Sequence, residues 1–391
     1  MTGGDALPTF AGWLASGFGL GHVPLLPGTA GALGGVLLSL ALSGWPIRKQ
    51  VLAGAVLVAI AVPIAGYGAR AFPEHDDARI VADELLTFPV ATLGLPIRQH
   101  PGLLAAAFVT SRVLDGLKPF PAQAVESLPG GVGVVMDDVV ANAWALLLVS
   151  LGWRWFRRLP AAAGYGVSMA ATLGAAAALP LGIIAFGGAA PAWLGYGALA
   201  WLAGLAVKLP LAAVTGVLLA QRSPGLQAGM LGMVSGLSEL GIAVAILFWV
   251  GGDLSVADVL LYATAAGSME TLALGAWSLL VRPDADTVRR WRQVAERSAW
   301  VRHMFLIERS IALAGHVGSR GLVSLAVVTG NAWLALPALA GFILTDGLAA
   351  HRDIMGQDWM DPAWFRRMMG LFAAVAAIEL GLFALLLPLA D

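Results

Sequence analysis

The residues best suited to chemistry in this chain are carboxylates in adjacent pairs. Asp83-Glu84 follow Ile80-Val81-Ala82, and Asp137-Asp138 follow the glycine-rich run Gly130-Gly131-Val132-Gly133. The chain is 59% hydrophobic and only 12% charged, so paired acids near a membrane helix need a cation, a basic partner or water to stay ionised. Between the pairs lies Arg112-Val113-Leu114-Asp115-Gly116-Leu117-Lys118-Pro119. Its three-residue steps predict a cation, an anion and a cation along one side of a helix. Adjacent acids on a helix point about 100° apart. One of each pair can then ligate a metal while the other holds a water or a second ligand. Magnesium takes oxygen ligands, commonly one or two carboxylates plus substrate phosphate oxygens. The expected metal set is Asp83, Glu84, Asp137 and Asp138, with Asp115 nearby and with Arg112 and Lys118 balancing charge on a phosphate. The chemistry that fits is phosphoryl-ester hydrolysis, a metal polarising the phosphoryl oxygens and activating a water. His22 or one of the aspartates would move the proton. A single Arg–Asp pair reads equally as a salt-bridged helix face. Three acidic segments and two cations in one apolar half-chain favour a site.

Those groups must be positioned by helices in a bilayer. Mean hydropathy is +0.81, which indicates an all-α, polytopic helical membrane protein. Net charge is −1, so there is no basic footprint for nucleic acid. Cysteine is absent, which removes disulfides, Cys₄ zinc sites and cysteine-nucleophile phosphatase chemistry. The start, Met1 to Asp5, lacks a basic stretch and is expected to carry no cleaved signal peptide.

The first half opens with Gly17-Phe18-Gly19-Leu20-Gly21-His22-Val23-Pro24-Leu25-Leu26-Pro27-Gly28-Thr29. Its glycines and prolines predict a loop or half-helix rather than one straight helix. Thr29 is expected to cap the next helix, and the Gly28-Thr29 backbone to face an anion. Ala30 to Gly44 and Val51 to Gly68 read as spans. The polar stretch before Glu84 contains His75, Asp76, Asp77 and Arg79. Leu85 to Leu95 and Leu103 to Leu114 are too short to cross. Val139 to Trp153 reads as a tilted or partly inserted helix, ending in the aromatic and basic anchor Trp153 to Arg158. A boundary near Leu159 to Gly164 separates a domain at 1–160 from a second at 161–391.

The second half is more uniformly apolar. Expected spans are Gly164 to Phe186, Trp193 to Ala220, Gly225 to Val250, Val256 to Val281, a broken Ser298 to Val328, Ala332 to Ala349 and Met368 to Leu389. Arg282 to Arg302 reads as an amphipathic basic segment at the cytoplasmic surface. Ionisable residues inside the bundle include Lys208, Glu239, Glu270, Glu308, Arg309, His316, Arg320, Asp346, His351 and Glu379. Glu239, Glu270, Glu308, His316 and Asp346 are expected to meet in one polar cavity. The bland alternative is a set of ion pairs that orient helices.

Four stretches together resemble the phosphatidylglycerophosphatase A family: Gly17 to Thr29, Asp76 to Glu84, Arg112 to Pro121 and Gly130 to Asp138. The resemblance covers about residues 10–153. It implies a magnesium-dependent, all-helical phosphatase of the bacterial inner membrane that turns phosphatidylglycerophosphate into phosphatidylglycerol. Its acidic residues map onto Asp83, Glu84, Asp115, Asp137 and Asp138. Three positions depart from the family pattern. Thr87 replaces a glycine, Ser111 an aromatic residue and Asn142 a helix glycine, which bears on substrate preference. Histidine-nucleophile lipid phosphatases fit poorly, because Ser319-Arg320 has no suitably placed histidine after it. The second half is faintly similar to intramembrane endopeptidases of the YhfC or CAAX-processing type, but lacks their double glutamate. The rival function is a transporter or lipid-translocating protein whose acidic clusters bind the transported cation or lipid. It requires a pathway open to both sides of the membrane.

Overall fold

In hydrocarbon a backbone must satisfy its own N–H and C=O groups, and uninterrupted apolar runs therefore become helices. A computed structural model describes residues 10–23, 27–72, 77–251, 254–281 and 283–387. Met1 to Asp5, Pro24, His75, Asp76 and Arg282 lie outside the described residues. Among the described residues there is no strand, and nine helices are long and apolar enough to cross a membrane. The chain is an all-α polytopic membrane protein. It divides into two compact units, Met1–Leu159 and Pro160–Asp391.

The first unit runs α1 (Phe10–Ala15), a 3₁₀ turn at Leu20–His22, α2 (Pro27–Leu42) and α3 (Ile47–Ala71). It continues with α4 (Ala82–Thr87), a 3₁₀ turn at Phe88–Thr92, α5 (Pro101–Leu117), α6 (Ala122–Glu126) and α7 (Gly131–Phe156). Only α3 and α7 are long enough to span. The expected span at Ala30 to Gly44 is instead α2, whose 16 residues rise about 24 Å, short of the roughly 30 Å hydrocarbon core. Helix α7 is longer than the Val139 to Trp153 segment read from the sequence. Its 26 residues rise about 39 Å, more than the roughly 30 Å hydrocarbon core.

The short helix α4 is pinned on three sides. The Val81 N–H donates to the Ala15 carbonyl at 2.9 Å, and α4 packs on α2, α3 and α7. One apolar cluster joins Phe88, Ile97, Ala107 and Ala145, tying the 3₁₀ turn after α4 to α5 and α7. A second joins Ala15, Ala61, Ala65, Ile80 and Val135, tying α1 and the approach to α4 onto α3 and α7. Asp83-Glu84 are thereby fixed against the start of α7.

The second unit comprises α8 (Ala161–Gly187), α9 (Ala192–Leu219), α10 (Pro224–Val250), α11 (Val256–Leu280), α12 (Ala285–Arg297) and α13 (Ala299–Arg302). It ends with α14 (Met304–Thr329), α15 (Leu336–Ile354) and α16 (Pro362–Leu386). The expected break in Ser298 to Val328 falls at His303, between α13 and α14. Helix α12 is the charged amphipathic segment. Its cap residue Asp284 accepts from the N–H groups of Asp286 and Thr287 at 2.9 and 2.8 Å, satisfying two of the unpaired donors of a helix start. Helix α10 packs on α9 and α15, and α14 packs on α11 and α16. Leu261, Tyr262, Leu322 and Val323 lie at the centre of the apolar core, where the Tyr262 hydroxyl donates to the Ala243 carbonyl at 3.0 Å.

Candidate active site

Asp83 and Glu84 lie in the first turn of α4, and Asp138 lies in the second turn of α7. Each offers one oxygen, and these three atoms lie within 4.8 Å of one another. Asp83 and Asp138 are only 5% and 3% exposed. Asp83 Oδ1, Glu84 Oε2 and Asp138 Oδ1 are buried without a hydrogen-bond partner, which is costly for a carboxylate unless a cation is close. Burial, with Glu84 and Asp138 beside it, pushes the Asp83 carboxyl well above the usual carboxylate range. Burial also pushes Glu84 up, against the opposing pull of Asp83 and Arg112.

The nearby cation is Arg112, brought by α5. Its Nη1 is 3.4 Å from Asp115 Oδ2 and 3.9 Å from Glu84 Oε1, and its Nη2 is 3.7 Å from Asp138 Oδ1. These distances give attraction but are too long for hydrogen bonds. Arg112 Nε and Nη2 accordingly remain buried donors without acceptors. Three clustered carboxylates against one guanidinium leave an excess of negative charge, and every oxygen donor is hard. That set fits a divalent cation such as magnesium, and the guanidinium's free donors fit a phosphate.

Asp137 departs from the expected metal set. Its Oδ2 is 3.1 Å from Lys118 Nζ, and its Oδ1 accepts from the Asp138 N–H at 2.9 Å. Lys118 is not on the helical line through Arg112 and Asp115. It caps α5 in the left-handed region at φ 43°, which turns its side chain toward α6 and α7. There it also donates to Glu126 at 2.6 Å. Burial alone would lower the Lys118 pKa. The bonds to Glu126 and Asp137 outweigh that and hold it above the usual lysine value. Glu126 was not singled out from the sequence, because nothing in its local pattern marks it as a partner of Lys118.

Gly28, in the first turn of α2, forms part of the wall. A Cβ there would run into Glu84 Oε1 and lie 3.7 Å from Arg112 Nη1, so only glycine admits this approach. Thr29 is the third residue of α2 rather than its cap, and it is half-buried. His22 lies exposed in its 3₁₀ turn.

Beside the acidic trio is a buried polar chain. Ser111 Oγ donates to Asn142 Oδ1 at 2.6 Å, and Asn142 Nδ2 donates to Thr87 Oγ1 at 3.0 Å. All three residues are fully buried. They are the three positions read from the sequence as departures from the pattern it resembles, and they join α4, α5 and α7, the helices that carry Glu84, Arg112 and Asp138.

In the second unit, Glu239, Glu270, Glu308, His316 and Asp346 all line one cavity of ≈ 220 Å³. Ion pairs and hydrogen bonds link them in one connected chain. Asp346 meets Lys208 at 2.9 Å, Lys208 meets Glu239 at 3.0 Å, and Glu239 meets Arg320 at 3.3 Å. Arg320 contacts His316, and His316 contacts Glu270. Glu270 meets Arg309 at 2.8 Å, and Arg309 pairs with Glu308. Arg320 is 0% exposed, and it is the link that makes the chain continuous.

Comparison with known proteins places the sequence pattern of the family described as Phosphatidylglycerophosphatase A on residues 13–153. The chain is 31% identical over 144 residues to phosphatidylglycerophosphatase A of Escherichia coli, covering 83% of that protein and 36% of this chain. It is 32% identical over 138 residues to the protein of the same name from Haemophilus influenzae, covering 84% of it and 35% of this chain. A candidate phosphatidylinositol-3-phosphatase of Bacteroides thetaiotaomicron is 32% identical over 147 residues, with 92% of it and 36% of this chain covered. No solved structure matches.

Proposed function

The chain belongs to the phosphatidylglycerophosphatase A family and is a lipid phosphomonoester hydrolase, and we propose that its first unit converts phosphatidylglycerophosphate to phosphatidylglycerol and phosphate with magnesium held by Asp83, Glu84 and Asp138. The observation that carries this reading is three acidic side chains that each offer an oxygen within 4.8 Å of the others, each also holding a buried oxygen without a hydrogen-bond partner, beside an arginine with two such nitrogens. A magnesium ion bound there supplies Lewis-acid polarisation of the phosphoryl oxygens.

The remaining roles belong to side chains of this unit. Arg112 binds the phosphoryl group through Nη2 and Nε, with Asp115 orienting it from the same helix. Lys118 holds Asp137 and so fixes the start of α7 beneath Asp138. The membrane helices seat the enzyme in the bacterial inner membrane, where the diacyl part of the substrate stays in the lipid.

Phosphate release from phosphatidylglycerophosphate, with and without magnesium, tests the proposal, with phosphatidylinositol 3-phosphate as the second substrate. Release that needs magnesium and is faster on phosphatidylglycerophosphate is expected. Monodisperse protein that leaves this lipid intact at saturating magnesium would overturn it.

A further inference from the structure

Glu379 is the one carboxylate lining the cavity of the second unit that stands outside its chain of ion pairs. It lies on α16, is 4% exposed and lines the cavity. Among the described residues no hydrogen bond or ion pair reaches its carboxyl group. Two glycines make room for it. A Cβ on Gly341 of α15 would run into Glu379 Oε1, and a Cβ on Gly318 of α14 would come within 2.7 Å of the Glu379 Cβ. The carboxyl group is therefore seated between two helices and faces a space of ≈ 220 Å³. That is room for several waters or a small organic group rather than for one bare ion.

The charges of the walls select the ligand. Five carboxylates line the cavity, namely Glu239, Glu270, Glu308, Asp346 and Glu379, against the two permanent cations Lys208 and Arg309. Each of those cations already binds two carboxylates. An anion would find no lysine or arginine without a carboxylate partner, whereas a cation would find Glu379. Ile311, Phe372 and Val375 give the same cavity an apolar side. Burying an unpaired carboxylate in a membrane span is costly, and an ammonium group with an apolar body supplies both the missing charge and the missing contacts. We propose that the second unit binds a small organic cation, with Glu379 as its counter-ion. The ammonium could belong to a free alkylamine or to an aminophospholipid head group.

The test uses the full chain in nanodiscs, titrated with n-butylammonium and followed by thermal shift and tryptophan fluorescence, since Trp359 lines the cavity. Sodium chloride and sodium butyrate serve as controls. Saturable stabilisation by butylammonium alone is expected. Glu379→Gln should weaken it about thirtyfold or more, the loss seen when one partner of a buried charge pair is removed, with phosphate release unchanged. Glu379→Asp keeps the charge and should restore part of the affinity, which a packing role would not do. It also carries the test if the glutamine variant does not fold. Adding phosphatidylethanolamine to phosphatidylglycerol nanodiscs should compete with butylammonium if the head group is the natural source and leave its affinity unchanged if the source is a free amine. Equal affinity in wild type and Glu379→Gln, or equal stabilisation by sodium chloride, would overturn the proposal.

Discussion

Asp137 and Asp138 are chemically identical neighbours, and the phase of one helix gives them different work. Asp138 joins Asp83 and Glu84 and holds an unpartnered oxygen, while Asp137 is occupied by Lys118. Asp138→Asn should therefore lower phosphate release roughly 100- to 1000-fold, the scale of losing one charge-stabilising group at a reaction centre. Asp137→Asn should retain most turnover per folded molecule and lower the melting temperature instead. Comparable losses of turnover in both variants would contradict the division. Asp77 allows a separate check on pH. Its carboxyl accepts hydrogen bonds from Arg79, which hold it below its ordinary 3.8. A lowered folded value means its contribution to stability is fully present above 3.8 and is lost as pH falls below that through the lowered value. Melting curves across that interval should show Asp77→Asn losing less stability to acid than wild type. The acid pairs were legible in the sequence because ionised groups are rare in apolar chains. The diversion of Asp137 was not, because it depends on a left-handed lysine at a helix end, which residue spacing does not reveal.

At the scale of elements, the main revision concerns α7. Gly130 to Gly133 reads as a turn, but only Gly130 has positive φ, and the helix begins at Gly131. Gly131 is helical and packed so closely on α3 that a Cβ would strike the Val62 carbonyl. A glycine run can mark a turn or a close helix contact, and only the neighbouring helix decides which. Asp137 and Arg154 are then separated by about 26 Å along one spanning helix. The acidic site and the Arg154 to Arg158 anchor should then face opposite sides of the membrane. The chain has no native cysteine, so single cysteines at exposed Ser127 and Arg158 can be labelled with an impermeant maleimide. Labelling from opposite sides is expected, and labelling of both from one side would contradict it. The long helices of the second unit were legible from hydropathy, with ends displaced by up to six residues, since composition dominates once a run exceeds about 20 residues.

For the whole molecule, each unit contains its own apolar core and its own polar cluster. All the contacts described around Asp83, Glu84, Asp138 and Arg112 come from within residues 1–159. A chain ending at residue 160 should therefore release phosphate at a rate within about threefold of the full protein in lipid, a difference of under 1 kcal/mol in barrier. Loss of activity in a well-folded truncation would assign the second half a part in the reaction. In that half the sequence pointed to the five cavity residues, because each is an ionisable group in an otherwise apolar stretch, with Glu308 and His316 on the same one. It did not pick out Arg320 as the link or Glu379 as the unpaired member, since pairing is a property of helix rotation and not of composition.

The buried Ser111–Asn142–Thr87 chain also has an evolutionary consequence. Each member leaves a neighbour unsatisfied when it alone is replaced by an apolar residue, and a buried unpaired polar group costs about 1–3 kcal/mol. Replacing all three with apolar residues of matching shape removes the need for any partner. The three sites should consequently drift together through descent, with intermediate single changes selected against and complete sets tolerated. Positions 55 residues apart in the chain would then behave, in mutational terms, as one inherited character.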